Sequence, residues 1–266
     1  MIKIYFNGLT FGKPPSKSNH KRAKREKTTG WSESFTRSNK AFLYSVDTKK
    51  LDGNGLAFTF TIKNLPATPH DFARIRKNFL AVMARMGMVR YHWVTEWQKR
   101  GVPHLHGCIY FPFDITLNMY NGVVAAWCGA AGEYIASPRG QDLKLIDSAV
   151  GWLKYLAKHG SRSGYHYQRT SKPKEWDSSG RVWGKGGEWP TRLTEHNEGD
   201  YFHQLRRVIR NWRIADARSS KIPRRIASAR SCLKYLDKNK SAVLGMSEWV
   251  PESMTFRLVH WFEKQN

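Results

Sequence analysis

The sequence is poor in cysteine and in acidic residues, and it has no long apolar run. Its three cysteines, Cys108, Cys128 and Cys232, are widely spaced and lie outside any CxxC pattern. They argue against a disulfide framework and a cysteine zinc site, and they favour a reducing compartment. No apolar stretch approaches the roughly 18 residues that a membrane span needs. The N-terminus becomes polar too early for a signal peptide, so we expect a soluble, cytoplasmic protein.

The shortage of acidic residues leaves a strongly basic chain. Forty-five Lys and Arg face twenty-one Asp and Glu, which gives a formal net charge of +24. At 40% hydrophobic and 13% aromatic residues, the chain is nevertheless too apolar for disorder. A polyanion offsets the self-repulsion of such a chain, so nucleic acid is the favoured partner. The alternatives are a solvated basic surface and an anionic membrane.

Composition divides the 266 residues into four segments. The predicted segments are a basic N-terminal arm (1–50), an α+β domain (51–160), loops rich in Gly, Ser and Trp (161–200) and a basic helical region (201–266). Within the first segment, residues 12–40 are interpreted as a flexible arm or long loop. Its cations are candidate DNA contacts: Lys21, Arg22, Lys24 and Arg25.

Hydrophobic periodicity predicts the elements of the α+β domain. Alternation predicts strands over 56–62, 88–97, 104–111 and 142–146, and helical spacing predicts helices over about 72–86, 117–127 and 148–159. The order strand, helix, strand, strand, helix, strand, helix predicts an antiparallel sheet with flanking helices, of the split βαβ, RRM-like type. On the last helix, Val150, Leu153 and Ala157 are predicted to form the buried stripe.

The region after 160 is predicted to bind or expose rather than to build a core. One hairpin is expected around 180–188, and Trp176, Trp183 and Trp189 are expected to be exposed, where bases can stack on them. Helices are predicted over 201–213, with Leu205, Val208 and Trp212 on one stripe, and over 224–238. They either grip duplex DNA, through Arg206, Arg207 and Arg210, or present a solvated face.

His104 and His106 are the first chemically distinctive pair. Two residues apart on a strand, their imidazoles point to one face and Leu105 points to the core. The hairpin with the preceding strand brings Glu96 alongside them. Two histidines and one carboxylate leave coordination positions open for a phosphate oxygen and water, as a catalytic metal requires. The alternative is a histidine pair that faces solvent or donates hydrogen bonds.

Tyr155 and Lys158 form the second pair. Three residues apart on a helix, they share a face, and an adjacent cation favours the phenolate form of a tyrosine nucleophile. The alternative is an ordinary interfacial Tyr beside a solvated Lys. Tyr235 and Lys238 repeat the Tyr-x-x-Lys spacing outside the predicted sheet domain, and Tyr165 and Tyr167 are further candidates in a Gly/Ser loop.

The order LAFTFTI, VTEWQKRGVPHLHGCIYF and WLKYLAK resembles the three motifs of HUH endonucleases. More narrowly, it resembles the single-tyrosine rolling-circle replication initiators of phages and plasmids, over roughly residues 55–160. The resemblance implies that His104, His106 and Glu96 bind Mg or Mn. It also implies that Tyr155 attacks a DNA phosphodiester, leaving a 5′-phosphotyrosine link and a free 3′-hydroxyl, and that Lys158 assists at the phosphate.

The function implied is therefore nicking and rejoining of a single DNA strand at a replication origin. The expected partner is single-stranded or origin DNA, with a host helicase or polymerase, in the cytoplasm of a bacterial host. Two alternatives stay open at this stage. One is a transposase of the same superfamily, and the other is a non-catalytic DNA- or RNA-binding protein.

Overall fold

A computed structural model describes residues 2–12, 30–159, 166–196, 201–234 and 246–264. The strands are β1 (Ile2–Tyr5), β2 (Gly8–Phe11), β3 (Asn54–Phe60), β4 (Arg90–Trp97), β5 (Pro103–Phe111), β6 (Asp142–Leu145), β7 (Trp183–Gly187), β8 (Leu193–His196) and β9 (Met246–Glu248). The helices are α1 (Glu33–Ser45), α2 (Pro69–Arg85), α3 (Leu117–Ala130), α4 (Ala149–His159), α5 (Tyr167–Thr170), α6 (Phe202–Ser219), α7 (Pro223–Lys234) and α8 (Glu252–Glu263). The chain divides into two units, Ala23–Pro190 and Met1–Arg22 with Thr191–Asn266.

The unit Ala23–Pro190 contains a five-stranded antiparallel sheet with the order β6-β3-β5-β4-β7. Strand β5 lies between β3 and β4, the two strands that α2 connects, and this insertion defines a split βαβ unit. The predicted order of strands and helices from β3 to α4 is confirmed, with boundary shifts of a few residues. The predicted α+β class is therefore confirmed.

One face of this sheet forms the main hydrophobic core. Alternation along β3 sends Phe58 and Phe60 to this face, where Phe79 of α2 and Trp127 of α3 pack around them with ring centroids 5.1–5.9 Å apart. Helix α2 begins at a capping box in which the Thr68 hydroxyl accepts from the backbone of Asp71 and the Asp71 carboxylate accepts from that of Thr68. Local capping and apolar periodicity therefore agree on where α2 lies.

The opposite face is covered by α1 and α4. On this face His92 is fully buried, stacks on Phe42 of α1 with centroids 5.4 Å apart, and its Nε2 lies 2.7 Å from Asn39 Oδ1. Its cross-strand partner on β5, Cys108, lies against the Trp152 indole of α4. Burial raises the pKa of the Cys108 thiol to about 12, so this cysteine is an inert packing group.

We expect His92 to give the stability of the protein a measurable pH dependence. Burial, and secondarily the charge of Lys185, lowers the pKa of His92 to about 3. Below the unfolded value of about 6.5 the unfolded chain binds a proton that the folded protein refuses. The free energy of unfolding should therefore fall as pH drops from about 6.5 toward 3, by up to about 1.4 kcal/mol per pH unit from this group.

Denaturant titrations at several pH values measure this slope. The variant His92→Gln places an amide N–H where His92 Nε2 meets Asn39 and has no group that titrates. Its slope should be shallower than that of the wild type by the contribution of His92. Equal slopes in the two proteins would show that His92 does not carry the effect.

The Gly-rich segment after 180 differs from the prediction. No separate hairpin forms there; β7 instead pairs with β4 as the edge strand of the sheet. Gly184 and Gly186 permit this pairing because a Cβ at either position would overlap the rings of Trp93 and Tyr91 on the neighbouring strand. The glycines that suggested a loop are therefore needed by a strand that packs beneath aromatic side chains.

Three further predictions are corrected. Residues 33–40, predicted as part of an arm or long loop, belong to α1, which Ser32 caps by accepting from the backbone of Phe35. Trp176, predicted to be exposed, is only 2% exposed and donates from Nε1 to the carbonyl oxygen of Pro66 at 2.9 Å. Val150, predicted to be buried, is 40% exposed; the buried residues of α4 are Leu153, Leu156 and Ala157.

The other unit contains an antiparallel sheet with the order β8-β1-β2-β9. Helices α6 and α8 pack against it through a second apolar cluster, formed by Ile2, Ile4, Leu9, Phe11, Phe202, Leu205, Ile209, Val250, Leu258 and Phe262. Val208 of the predicted stripe is 38% exposed, and Ile209 takes the buried position instead. Within the described part of the chain, no helix is long and apolar enough to cross a bilayer.

Candidate functional site

The β4–β5 hairpin sets the geometry of the candidate site. Its register pairs Glu96 with His104, so that these side chains and that of His106 emerge on one face, as predicted. This is the face that α1 and α4 cover, and Leu105 points to the core on the other face. The tight connection between the strands, closed by the Gly101 amide donating to the Gln98 carbonyl, determines this register.

The three side chains converge at distances that suit shared metal coordination. Glu96 Oε2 lies 3.3 Å from His106 Nε2 and 3.6 Å from His104 Nε2, and the two Nε2 atoms are 3.1 Å apart. Ligands held at 2.0–2.2 Å from one ion are about 3.0–3.5 Å from one another. Glu96 and His106 are buried and His104 is partly exposed. The donor set therefore fits a divalent ion, with an opening on the His104 side.

Thr59 of β3 completes the surroundings of His106, a role that the sequence analysis missed. Strand register pairs Thr59 with His106, and Thr59 Oγ1 lies 2.8 Å from Nδ1 of the imidazole. When Nδ1 carries the proton and donates it to Thr59, Nε2 keeps its lone pair for the ion. The available signal was positional, since Thr59 alternates with Phe58 and Phe60 and so faces the histidine side.

Helix α4 presents Tyr155 at the surface of the protein. Ser148 caps the helix by accepting from the Gly151 amide at 3.1 Å, as predicted. Tyr155 is 43% exposed and stacks on Trp152, with ring centroids 5.2 Å apart and planes inclined by 26°. Lys158 lies on the same helix, and its side chain is outside what the structure describes. The role of both residues stays a prediction.

The remaining sequence candidates are distributed elsewhere. Lys21, Arg22, Lys24, Arg25, Tyr165 and Tyr235 fall outside the described residues. Tyr167 begins α5, which contacts β4, and Lys99 lies 5.8 Å from its ring centroid. Arg206, Arg207 and Arg210 lie on α6 in the other unit.

A split βαβ sheet with a His-x-His pair and a glutamate on its helix-covered face defines an α+β protein with a candidate divalent-metal centre. The family model for replication-associated proteins of the ORF2 type matches residues 55–240. The chain belongs to this family, which confirms the resemblance to phage and plasmid replication proteins.

Individual relatives extend the similarity to most of the chain. A replication-associated protein of Pseudomonas phage Pf3 is 39% identical over 271 residues, which cover 99% of this chain and 97% of that protein. A putative replication protein of Xylella fastidiosa (strain 9a5c) is 43% identical over 266 residues, covering 94% and 92% of the two chains. No solved structure matches the chain with significance.

Proposed function

We propose that this protein initiates rolling-circle replication by nicking one DNA strand at an origin and later rejoining strands. The convergence of Glu96, His104 and His106 on one sheet face carries the proposal. Membership in a family of replication-associated proteins supports replication, rather than transposition, as the process served. The proposed location is the cytoplasm of a bacterial host, with single-stranded or origin DNA as substrate and host helicase or polymerase as partners.

Glu96, His104 and His106 would hold Mg or Mn through one carboxylate oxygen and two imidazole nitrogens. A bound divalent ion polarises a phosphodiester oxygen and stabilises the charge that develops on phosphorus. Thr59 would keep the His106 ring in the required orientation, and the buried position of Glu96 would keep its carboxylate directed at the histidines.

Tyr155 would act as the nucleophile. Its Oη forms a bond to phosphorus, the phenol proton leaves, the P–O3′ bond breaks, and the departing 3′-oxygen takes up a proton. The products are a 5′-phosphotyrosine link and a free 3′-hydroxyl that a polymerase can extend. Because one phosphodiester replaces another, the reverse attack by a 3′-hydroxyl rejoins the strand. Lys158 would favour the phenolate or neutralise the phosphate.

The decisive test is incubation of the protein with Mn²⁺ and a single-stranded oligonucleotide that contains the origin. We expect strand scission and a covalent adduct that peptide mass spectrometry locates on Tyr155. A non-catalytic DNA-binding protein would instead bind the oligonucleotide in a salt-sensitive way, without scission under any metal and without loss of binding in His104→Ala.

Replacing Thr59 with Val should weaken metal binding without unfolding the protein. Removal of an outer-sphere partner of a ligating histidine typically costs about 10–100-fold in metal affinity. We therefore expect the Mn²⁺ dissociation constant, measured by calorimetric titration, to rise by about that factor, with nicking restored at higher Mn²⁺.

Thr61→Val is the matched control. The Thr61 hydroxyl donates to the Gly140 carbonyl, away from the histidines, so this variant should retain wild-type metal affinity. Equal Mn²⁺ affinities in Thr59→Val and Thr61→Val would contradict the positioning role of Thr59.

A further inference from the structure

The helix pair α6–α7 carries positive charge that the core of its unit does not use. Residues 202–234 contain ten Lys or Arg and a single acid, Asp216. Asp216 lies 3.6 Å from Arg225, and Glu248 of β9 lies 3.1 Å from Arg213. These two ion pairs leave most of the local charge unbalanced, so the surface suits a polyanion.

The two helices place this charge away from the hydrophobic core. Phe202, Leu205 and Ile209 bury one side of α6. With 3.6 residues per turn, Arg207, Arg210 and Arg218 lie within about 80° of one another on the opposite side of the helix. All three of these arginines are exposed.

Helix α7 contributes nothing to the apolar cluster among its described side chains. Residues 223–230 are exposed or only partly buried, and α7 packs mainly against α6. Three small residues, Ala227, Ser228 and Ala229, separate the cations Arg224 and Arg225 from Arg230. A helix with short side chains between arginines can approach another surface closely.

The connection between the helices is short. Ser220, Lys221 and Ile222 join α6 to α7, and Lys221 adopts the left-handed conformation at φ 54°. Two helices joined by a turn of three or four residues are the arrangement of helix–turn–helix DNA-binding units. The DNA major groove, about 12 Å wide, admits one α-helix.

The aromatic residues of the pair favour double-stranded over single-stranded DNA. Proteins that hold single strands stack bases on exposed aromatic rings. On the described surface of α6 and α7, Phe202 is buried and Trp212 packs against the apolar cluster, so the arginines are offered without an exposed Phe or Trp as a stacking platform. Duplex RNA fits less well because its deep, narrow major groove does not admit a helix.

We propose that α6 and α7 form a duplex-DNA-binding surface, with Arg207, Arg210 and Arg218 on the phosphate backbone and α7 in the major groove. This surface lies in a different unit from Glu96, His104 and His106, and the proposal does not depend on nicking. It assigns duplex recognition to residues that the metal centre does not include.

The test uses the full chain and two labelled probes, a DNA duplex and one of its strands, with affinities measured by fluorescence anisotropy over a salt series. Each phosphate contact contributes about 0.9 to the logarithmic salt slope for B-DNA. The double variants Arg207→Ala/Arg210→Ala and Arg224→Ala/Arg230→Ala should each lower duplex affinity by about tenfold or more near 0.1 M salt and reduce the slope by up to about 2.

Lys77→Ala/Arg85→Ala, which removes the same charge from exposed positions on α2, is the matched control. Duplex affinity unchanged in both double variants, or lost equally in the control, would overturn the proposal. A loss for the single strand as large as for the duplex would also overturn it, as would stronger binding of duplex RNA. Adduct formation on the single-stranded oligonucleotide should persist in both variants.

Discussion

Tyr155→Phe is expected to abolish the covalent protein–DNA adduct and strand scission while leaving oligonucleotide binding intact. The substitution removes only the phenol oxygen and preserves the ring that stacks on Trp152. Because no other group then forms the ester with phosphorus, nicking should fall on the order of 10⁴-fold or more. Gel assays of scission and intact-mass measurement of the adduct report this loss directly.

Two matched controls make the assignment specific. Tyr167→Phe alters the partly buried tyrosine of α5, and Tyr235→Phe alters the second Tyr-x-x-Lys sequence. Both variants should form the adduct at the wild-type rate. Persistence of the adduct in Tyr155→Phe would show that the nucleophile is another residue, and its loss in Tyr235→Phe would identify which one.

His106→Ala is expected to have the second largest effect. His106 Nε2 lies 3.3 Å from Glu96 and 3.1 Å from His104 Nε2, so its removal leaves two of the three candidate ligands. Loss of an outer-sphere partner already costs about 10–100-fold in metal affinity, so loss of the ligand itself should cost about 10³-fold or more. Calorimetric Mn²⁺ titration and the scission assay measure the two consequences.

The control for His106→Ala is His70→Ala, which removes an exposed imidazole from α2. This variant should bind Mn²⁺ and nick DNA as the wild type does. Thermal unfolding of both variants without metal should show that neither loses its fold. If His106→Ala bound Mn²⁺ with wild-type affinity, the site at Glu96 would not be the metal centre.

The parts of the molecule that the sequence predicted well depend on local regularity. Side chains on a strand alternate between faces, so placing His104 and His106 together required only that residues 103–111 form a strand. The short turn after Trp97 then determined the pairing of Glu96 with His104. The helices α2, α3 and α4 were likewise visible through apolar spacing and capping residues.

Helix α1 was missed because its buried side is partly polar. Asn39 faces His92, and Thr36 accepts a hydrogen bond from the buried guanidinium of Arg169. Apolar periodicity does not register a helix whose buried residues are satisfied by hydrogen bonds from distant elements. Strand β1 escaped prediction for a related reason, since its partner β8 lies about 190 residues away.

The sequence by itself determined the order of strands and helices from β3 to α4, the shared face of Glu96, His104 and His106, and a charge suited to a polyanion. These follow from periodicity, turn chemistry and composition, which act over a few residues. Tertiary structure alone decided that Thr59 lies against His106, that α1 and α4 cover the sheet face that carries the candidate site, and that Trp176 is buried. Those outcomes depend on which distant elements meet, and local spacing carries no information about such contacts.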